Sequence, residues 1–339
     1  MPSSPQLSPP SPCVTLALVA LVTIAGCASK PHPGQPLPRT GDEIIVAGQL
    51  FHTGTPVVLW TDPGGYDGYR VERRFAPLEK SDWEQSRTEQ PGLGTPNRYG
   101  LRRDGLDTNQ LEQVRGGGWT LPALQGVVDQ FVLHYDACGT SRRCFEVLHD
   151  QRGLSVHFML DVDGTVYQTL DLKERAWHAT SSNSRSIGIE IAAVGAVPPE
   201  QRKKLEPWYA SDDTGTHLMF PEWMGDPGMH TPGFRGRPAR PDLISGKIQD
   251  EILVQYDFTP QQYAALVRLT ATLCKVFPRL VCDYPRDPQG QLVDRKLSDD
   301  RLAAYQGILG HYHVQTNKVD PGPAFQWDRL VNEARQAMR

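Results

Sequence analysis

The chain lacks any surplus of positive charge: 35 Lys and Arg stand against 39 Asp and Glu, for a net charge of -4. No basic field draws in a polyanion, so DNA and RNA are excluded as expected partners. It also lacks a comfortable membrane span at its start, because the apolar run at 14–25, VTLALVALVTIA, is too short to cross a bilayer. No internal repeat or coiled-coil period is visible, which removes solenoids and helical rods. Cysteine is sparse, six in 339 residues, whereas Gly (31) and Pro (29) are plentiful. The length suffices to bury a real core, and the composition predicts a loop-rich globular protein.

The short apolar run has the length of a signal-peptide core and ends in IAGC. That ending resembles a bacterial lipobox, which implies lipidation of Cys27, although residues 1–13 carry no Lys or Arg. A cleaved secretory signal with an incidental cysteine is the alternative, and either reading exports the protein. Residues 1–26 are therefore read as a lipoprotein signal peptide and 27–42, rich in Pro and Gly, as an extended tether. The implied place is a lipid-anchored one on a membrane, the periplasmic face of an outer membrane where there is one. Export puts the remaining cysteines in an oxidising compartment. They fall into two local pairs, Cys138 with Cys144 and Cys274 with Cys282, and two short-loop disulfides are the simplest outcome. A four-cysteine zinc site is the rival, but neither pair has the tight spacing such sites use.

Along the exported chain, residues 43–129 are weakly patterned and form an N-terminal extension of unknown role, with EIIVAGQLF and PVVLW as short strands. A clearer rhythm starts at residue 130. QFVLHY reads as a buried strand, and TSRRCFEVLHD as a helix with Thr140 as its N-cap. SVHFMLDVDGTVYQTL reads as two strands around a Val-Asp-Gly turn, and RSIGIEIAAV as another strand. Residues 195–256 turn polar and lose all period, which suggests a long surface insertion. TPQQYAALVRLTATLCKVF then gives a helix with Thr259 as N-cap and Pro260 in its first turn, and AFQWDRLVNEARQ gives a last one. The fold class expected is α/β: one catalytic domain at 130–339 with a mixed β-sheet flanked by helices.

Polar residues stand where apolar ones belong. His134 ends one core strand and Glu190 sits in the middle of another, and a buried carboxylate costs several kcal/mol unless it is paired or protonated. In GHYHVQTNKVDPGPAF, Lys318 and Asp320 share one face of an extended segment, while His311 and His313 would share one face of a strand. Two imidazoles and a carboxylate make a three-ligand zinc site with an open fourth position. Such a metal polarises a carbonyl and activates water, a Glu takes the water's proton, and a Lys stabilises the oxyanion. This is metal-assisted amide hydrolysis.

VLHYDACG, SVHFMLDVDGTVYQ, AWHATSSNSRSIGIEI, FTPQQYAALVRL and GHYHVQTNKVDPGPAF stand in that order between residues 130 and 327. Together they resemble the zinc-dependent N-acetylmuramoyl-L-alanine amidases, which share a fold with peptidoglycan recognition proteins. The resemblance implies His134, His311 and Asp320 as zinc ligands and Glu190 and Lys318 as the catalytic pair. It leaves His313 as a residue hydrogen-bonded beside the site. It also implies peptidoglycan or muropeptides as substrate, cleaved between N-acetylmuramic acid and L-alanine, and likens Cys138 and Cys144 to a local disulfide of the recognition proteins. Trp177, His178 and Asn183 are candidate substrate-binding residues, the first two to line the sugar or peptide groove and Asn183 to orient a loop there. His157 reads as a hydrogen-bonded core residue, and His149, His217 and His230 as solvated. The insertion is longer than the resemblance implies, and nothing before residue 130 matches it.

Two rivals keep a place. A peptidoglycan-binding module of the same fold that does not cut typically lacks a ligand, whereas all three are present here. His134 and Asp136 with a distant His311 also fit the H-x-D…H triad of non-haem iron oxygenases. Those are all-β barrels, and here a helix is expected directly after the H-x-D.

Overall fold

The computed structural model describes residue 1 and residues 32–339, apart from residues 91 and 117. The expected signal segment, Cys27 and the start of the tether lie outside the described residues. Residues 39–339 form one compact unit, separate from residues 1–38. Residues 39–42, expected as tether, belong to it: the Arg39 guanidinium pairs with Asp62 at 2.5 Å.

At the centre lies a six-stranded mixed sheet built from β1 (Val57–Leu59), β2 (Gln130–Tyr135), β3 (Phe158–Leu160), β4 (Val166–Gln168), β5 (Ser186–Ile191) and β6 (Gly307–Gly310). Its spatial order is β6-β2-β5-β3-β4-β1. Only β3 and β4 run antiparallel, as the hairpin expected around the Val-Asp-Gly turn; every other pairing is parallel. Gly164 makes that turn possible with φ at +87°, a conformation glycine adopts without strain. PVVLW therefore supplies a strand of the central sheet, so part of the 43–129 segment is built into the core.

Alternation along the strands decides what each face does. Phe131, Leu133, Ile187, Ile189 and Ile191 point to one face, where they pack with Leu266, Leu269 and Leu273 of the helix Pro260–Val276 and Leu330 and Val331 of the helix Trp327–Ala337. Each such buried side chain contributes roughly 1.5–3 kcal/mol of transfer free energy. Thr259 caps the first of these helices through a reciprocal bond with Gln262, as its sequence predicted. Ser186, Gly188, Glu190 and His134 point to the opposite face.

Three features go beyond or against the sequence reading. The polar 195–256 segment is structured, with antiparallel hairpins at Tyr209–Asp212/Gly215–Leu218 and Ile244–Ile248/Glu251–Gln255. Sequence period missed them because the strands are only four or five residues long and few of their residues are buried. His149 is buried rather than solvated, its ring held between the Asp150 carboxylate at 2.8 Å and the Arg70 carbonyl at 2.9 Å. The two expected cysteine pairs are brought together, Cys138 beside Cys144 and Cys274 beside Cys282, with all four sulfurs unbonded in this structure. The pairs lie in different core clusters, which removes the four-cysteine metal site.

Candidate active site

Because β2 and β5 are neighbours in register, His134 lies directly beside Glu190. β6, on the other side of β2, ends at Gly310, and the chain there turns into one helical turn, His311–Val314. That turn corrects the expectation that His311 and His313 share a face. His311 faces the site, whereas His313 points into the interior, where its Nδ1 accepts the Gly310 N–H at 2.8 Å and its Nε2–H donates to the Val293 carbonyl at 2.7 Å. A short loop then brings Asp320 back over His311.

His134 Nδ1, His311 Nδ1 and Asp320 Oδ2 converge at 2.9, 3.0 and 3.0 Å from one another. Three acceptor-capable atoms so close share too few protons to satisfy one another, and their spacing is near the roughly 3.3 Å edge of a tetrahedral face with metal bonds of ~2.0 Å. The residues present therefore fit a divalent metal. Burial and the neighbouring His311 pull His134 down to about 4, so its imidazole is neutral at physiological pH. Burial works against the Asp320 carboxylate, but His311 and His134 hold it well below the usual carboxylate range. A neutral His134 and an ionised Asp320 are the forms a metal needs.

The outward ring nitrogens are also occupied. His311 Nε2–H donates to Gln315 Oε1 at 2.7 Å, one helical turn on, which fixes the tautomer with Nδ1 free to ligate. His134 Nε2–H donates to His178 Nδ1 at 2.9 Å, and His178 Nε2 faces the Ser186 hydroxyl at 3.2 Å. Gly188, between Ser186 and Glu190 on the same strand face, leaves the space for the His178 ring: a Cβ there would lie 2.5 Å from it. His178 thus acts on a candidate ligand while it also lines the cavity described below, as expected. Asn183 orients this loop, its Oδ1 accepting the His178 and Ala179 N–H groups at 3.1 and 2.7 Å, and it is not in the wall of the groove. Trp177 does line the groove.

That groove is a cavity of about 300 Å³ bounded by the three candidate ligands, Glu190, Lys318 and Trp177, with Cys138 and Cys144 in its wall. Glu190 Oε2 is buried without a hydrogen-bond partner. Burial, reinforced by Asp320 and Asp136 and opposed by Lys318, pushes the Glu190 carboxyl well above its ordinary range, so it is suited to taking up a proton. Lys318 enters the same cavity. Asp136 does not join the metal cluster: its Oδ1 accepts the N–H groups of Cys138, Gly139 and Ala193 at 2.9, 3.0 and 3.0 Å. The H-x-D iron triad has no carboxylate to use.

Sequence reasoning missed Gln315, whose signal was its spacing of four from His311, and Arg102. The latter is fully buried and donates to the carbonyls of Leu172, Asn183, Ser184 and Ser186 at 2.9–3.2 Å. It thereby fixes the segment that carries both anchors of His178. His157 is a core residue as expected, with Nδ1 accepting the Gly188 N–H and Nε2–H donating to the Glu174 carbonyl.

A family model described as N-acetylmuramoyl-L-alanine amidase matches residues 124–323. A 1,6-anhydro-N-acetylmuramyl-L-alanine amidase, AmpD of Haemophilus influenzae, is 22% identical over 221 residues, covering 65% of this chain and 74% of its own. Among solved structures, a selenomethionine derivative of AmpD aligns at 15% identity over 70% of this chain and 89% of its own, with a TM-score of 0.31. The E. coli amidase AmiD, solved with anhydro-N-acetylmuramic acid-L-Ala-D-gamma-Glu-L-Lys, aligns at 17% identity over 61% and 57%, with a TM-score of 0.33.

Proposed function

The chain belongs to the N-acetylmuramoyl-L-alanine amidase family, and from that premise we propose that it is a zinc enzyme cleaving the amide between N-acetylmuramic acid and L-alanine in peptidoglycan or its fragments. The observation that carries the reading is the convergence of His134, His311 and Asp320 at 2.9–3.0 Å in the same cavity as Glu190 and Lys318. Zinc held by those three supplies, when bound, a Lewis acid for the amide carbonyl and a lowered pKa for the attacking water. Glu190, an orphaned carboxylate with a raised pKa, takes the water's proton and returns it to the leaving L-alanine nitrogen. Lys318, in the same cavity, donates to the oxyanion that develops on the carbonyl. His178 and Gln315 hold the ligand rings. Support for a muropeptide substrate comes from the family description and from the AmpD relative's name.

The test is digestion of purified peptidoglycan and of anhydromuropeptides, read by mass spectrometry, before and after chelation and after zinc is restored. New free L-alanine amino termini that vanish with the metal and return with zinc support the reading; cleavage at any other bond, or indifference to chelation, removes it. The IAGC ending and the proline-rich stretch after it support a lipid anchor at Cys27. Cys27→Ser should release the protein from the membrane fraction, and an unchanged distribution would overturn the anchor.

A further inference from the structure

The hairpin Ile244–Ile248/Glu251–Gln255 lies in the insertion, yet its tip reaches the loop that joins His311 to Asp320. Gln249 and Asp250 form the tip with φ of 54° and 71°, the paired positive values of a two-residue turn whose twist suits a hairpin. Gln249 is pinned from both sides: its N–H donates to the Asp294 carbonyl at 2.9 Å, and its Oε1 accepts the Lys296 N–H at 3.1 Å. Its Nε2 faces the carbonyls of Tyr312, Gln315 and Lys318 at 2.9, 2.7 and 3.3 Å. One amide therefore closes the end of the His311 turn and the start of the return to Asp320.

The members of that loop differ in what else holds them. His311 and Asp320 hold each other and His134. Lys318 has only its backbone: among the described residues its ammonium makes no hydrogen bond or ion pair, and its own N–H reaches the Gln315 carbonyl only at 3.4 Å. A long flexible side chain points where its backbone sends it. We propose that Gln249 is a positioning residue for Lys318, which makes the insertion part of the catalytic apparatus rather than a surface ornament. The inference rests on the amidase reading and on the role of Lys318 in it.

The experiment is a double-mutant cycle of Gln249→Ala with Lys318→Ala, following kcat, KM, bound zinc and thermal unfolding on the full chain. Gln249→Ala is expected to lower kcat about 10-fold, a misplacement-sized loss, with KM within about 2-fold and zinc stoichiometric. In the Lys318→Ala background it should cost nothing further, because coupled residues are not additive. Unchanged kcat, the same loss in both backgrounds, or loss of zinc together with activity overturns the proposal. Gln249→Glu keeps the size but replaces the donor with an acceptor, and should reproduce the kcat loss. If neither variant folds, Gln249 is a folding residue and the proposal is also overturned. A wild-type chain that releases no L-alanine terminus fails the amidase reading itself, a result distinct from all of these.

Discussion

The site has two halves that are held in different ways. His134 and Glu190 sit on adjacent parallel strands in the middle of the sheet, side by side in register. Their backbone is fixed by ladder bonds on both edges and by the apolar core beneath. His311, Lys318 and Asp320 sit on a turn and loop beyond the end of a four-residue strand, where no ladder reaches them. That half is held by amide side chains from the insertion: Gln249 on the carbonyls of 312–318, and Gln255, which donates to the Pro321 carbonyl and accepts the Ala324 N–H, both at 3.1 Å. A fold that builds one half into its sheet leaves the other half to be fastened by whatever segment passes nearby. Damage to the strand half should therefore appear as lost chemistry on an intact frame, and damage to the loop half as misplacement.

The largest effect tests whether the loop half carries a ligand at His311 alone. His311→Ala should lose bound zinc and, with it, at least ~10⁴ in kcat/KM, since a Lewis acid supplies several kcal/mol of the barrier. His313→Ala should keep stoichiometric zinc while losing about 2–4 kcal/mol of stability, because it empties a buried site and orphans the Gly310 N–H and the Val293 carbonyl. Metal analysis and denaturant unfolding separate the two. If His313→Ala is the variant that loses zinc, the loop half is organised differently from the description above.

How far each half was legible follows from the same division. His134 and Glu190 stood out in sequence because a histidine and a carboxylate interrupt apolar strands whose period is plain. Asp320 and Lys318 stood out through the Asp-Pro-Gly exit, although the reading of 311–313 as a strand was wrong: a single helical turn is too short to leave a period. Cys138 beside Cys144 was legible as proximity, but proximity does not say whether a bond forms. Arg102, Gln249 and Gln255 left no trace, because each works on main-chain carbonyls or amides far away in sequence. Such contacts depend on the path of the chain and not on any local pattern. The fold class followed from the alternation of apolar runs, whereas PVVLW was legible as a short strand but not as the edge of the central sheet, a place that depends on a partner far away in sequence.

Glu190→Gln and Lys318→Ala set the two halves against each other directly. Both should retain zinc. Glu190→Gln should lower kcat by ~10³, the middle of the range for a general base, since the replacing amide cannot accept a proton. Lys318→Ala should lose ~10², as for one oxyanion donor. Steady-state kinetics beside metal analysis reads both. Wild-type turnover in Glu190→Gln would take the strand half out of the chemistry and leave it only a metal-binding role.

The smallest effects lie one bond further out, at the residues that hold the ligand rings. His178 is half-buried and joined to both His134 and Ser186, so a single water does not reproduce both bonds when it is removed. His178→Ala should therefore weaken zinc binding by ~10–100-fold, the usual cost of losing such a partner. Gln315, equally half-buried, does the same for His311 at 2.7 Å, but that is its one side-chain hydrogen bond among the described residues. Water replaces its carbonyl at little cost, so Gln315→Ala should weaken zinc by less than ~10-fold. Competition with a calibrated chelator gives both constants, and melting curves guard against a loss that is only unfolding. The order of the two is what matters. Should Gln315→Ala weaken zinc more than His178→Ala, the loop-borne ligand would depend more on its single partner than the strand-borne one, and rigidity of the sheet would not explain how His134 is held.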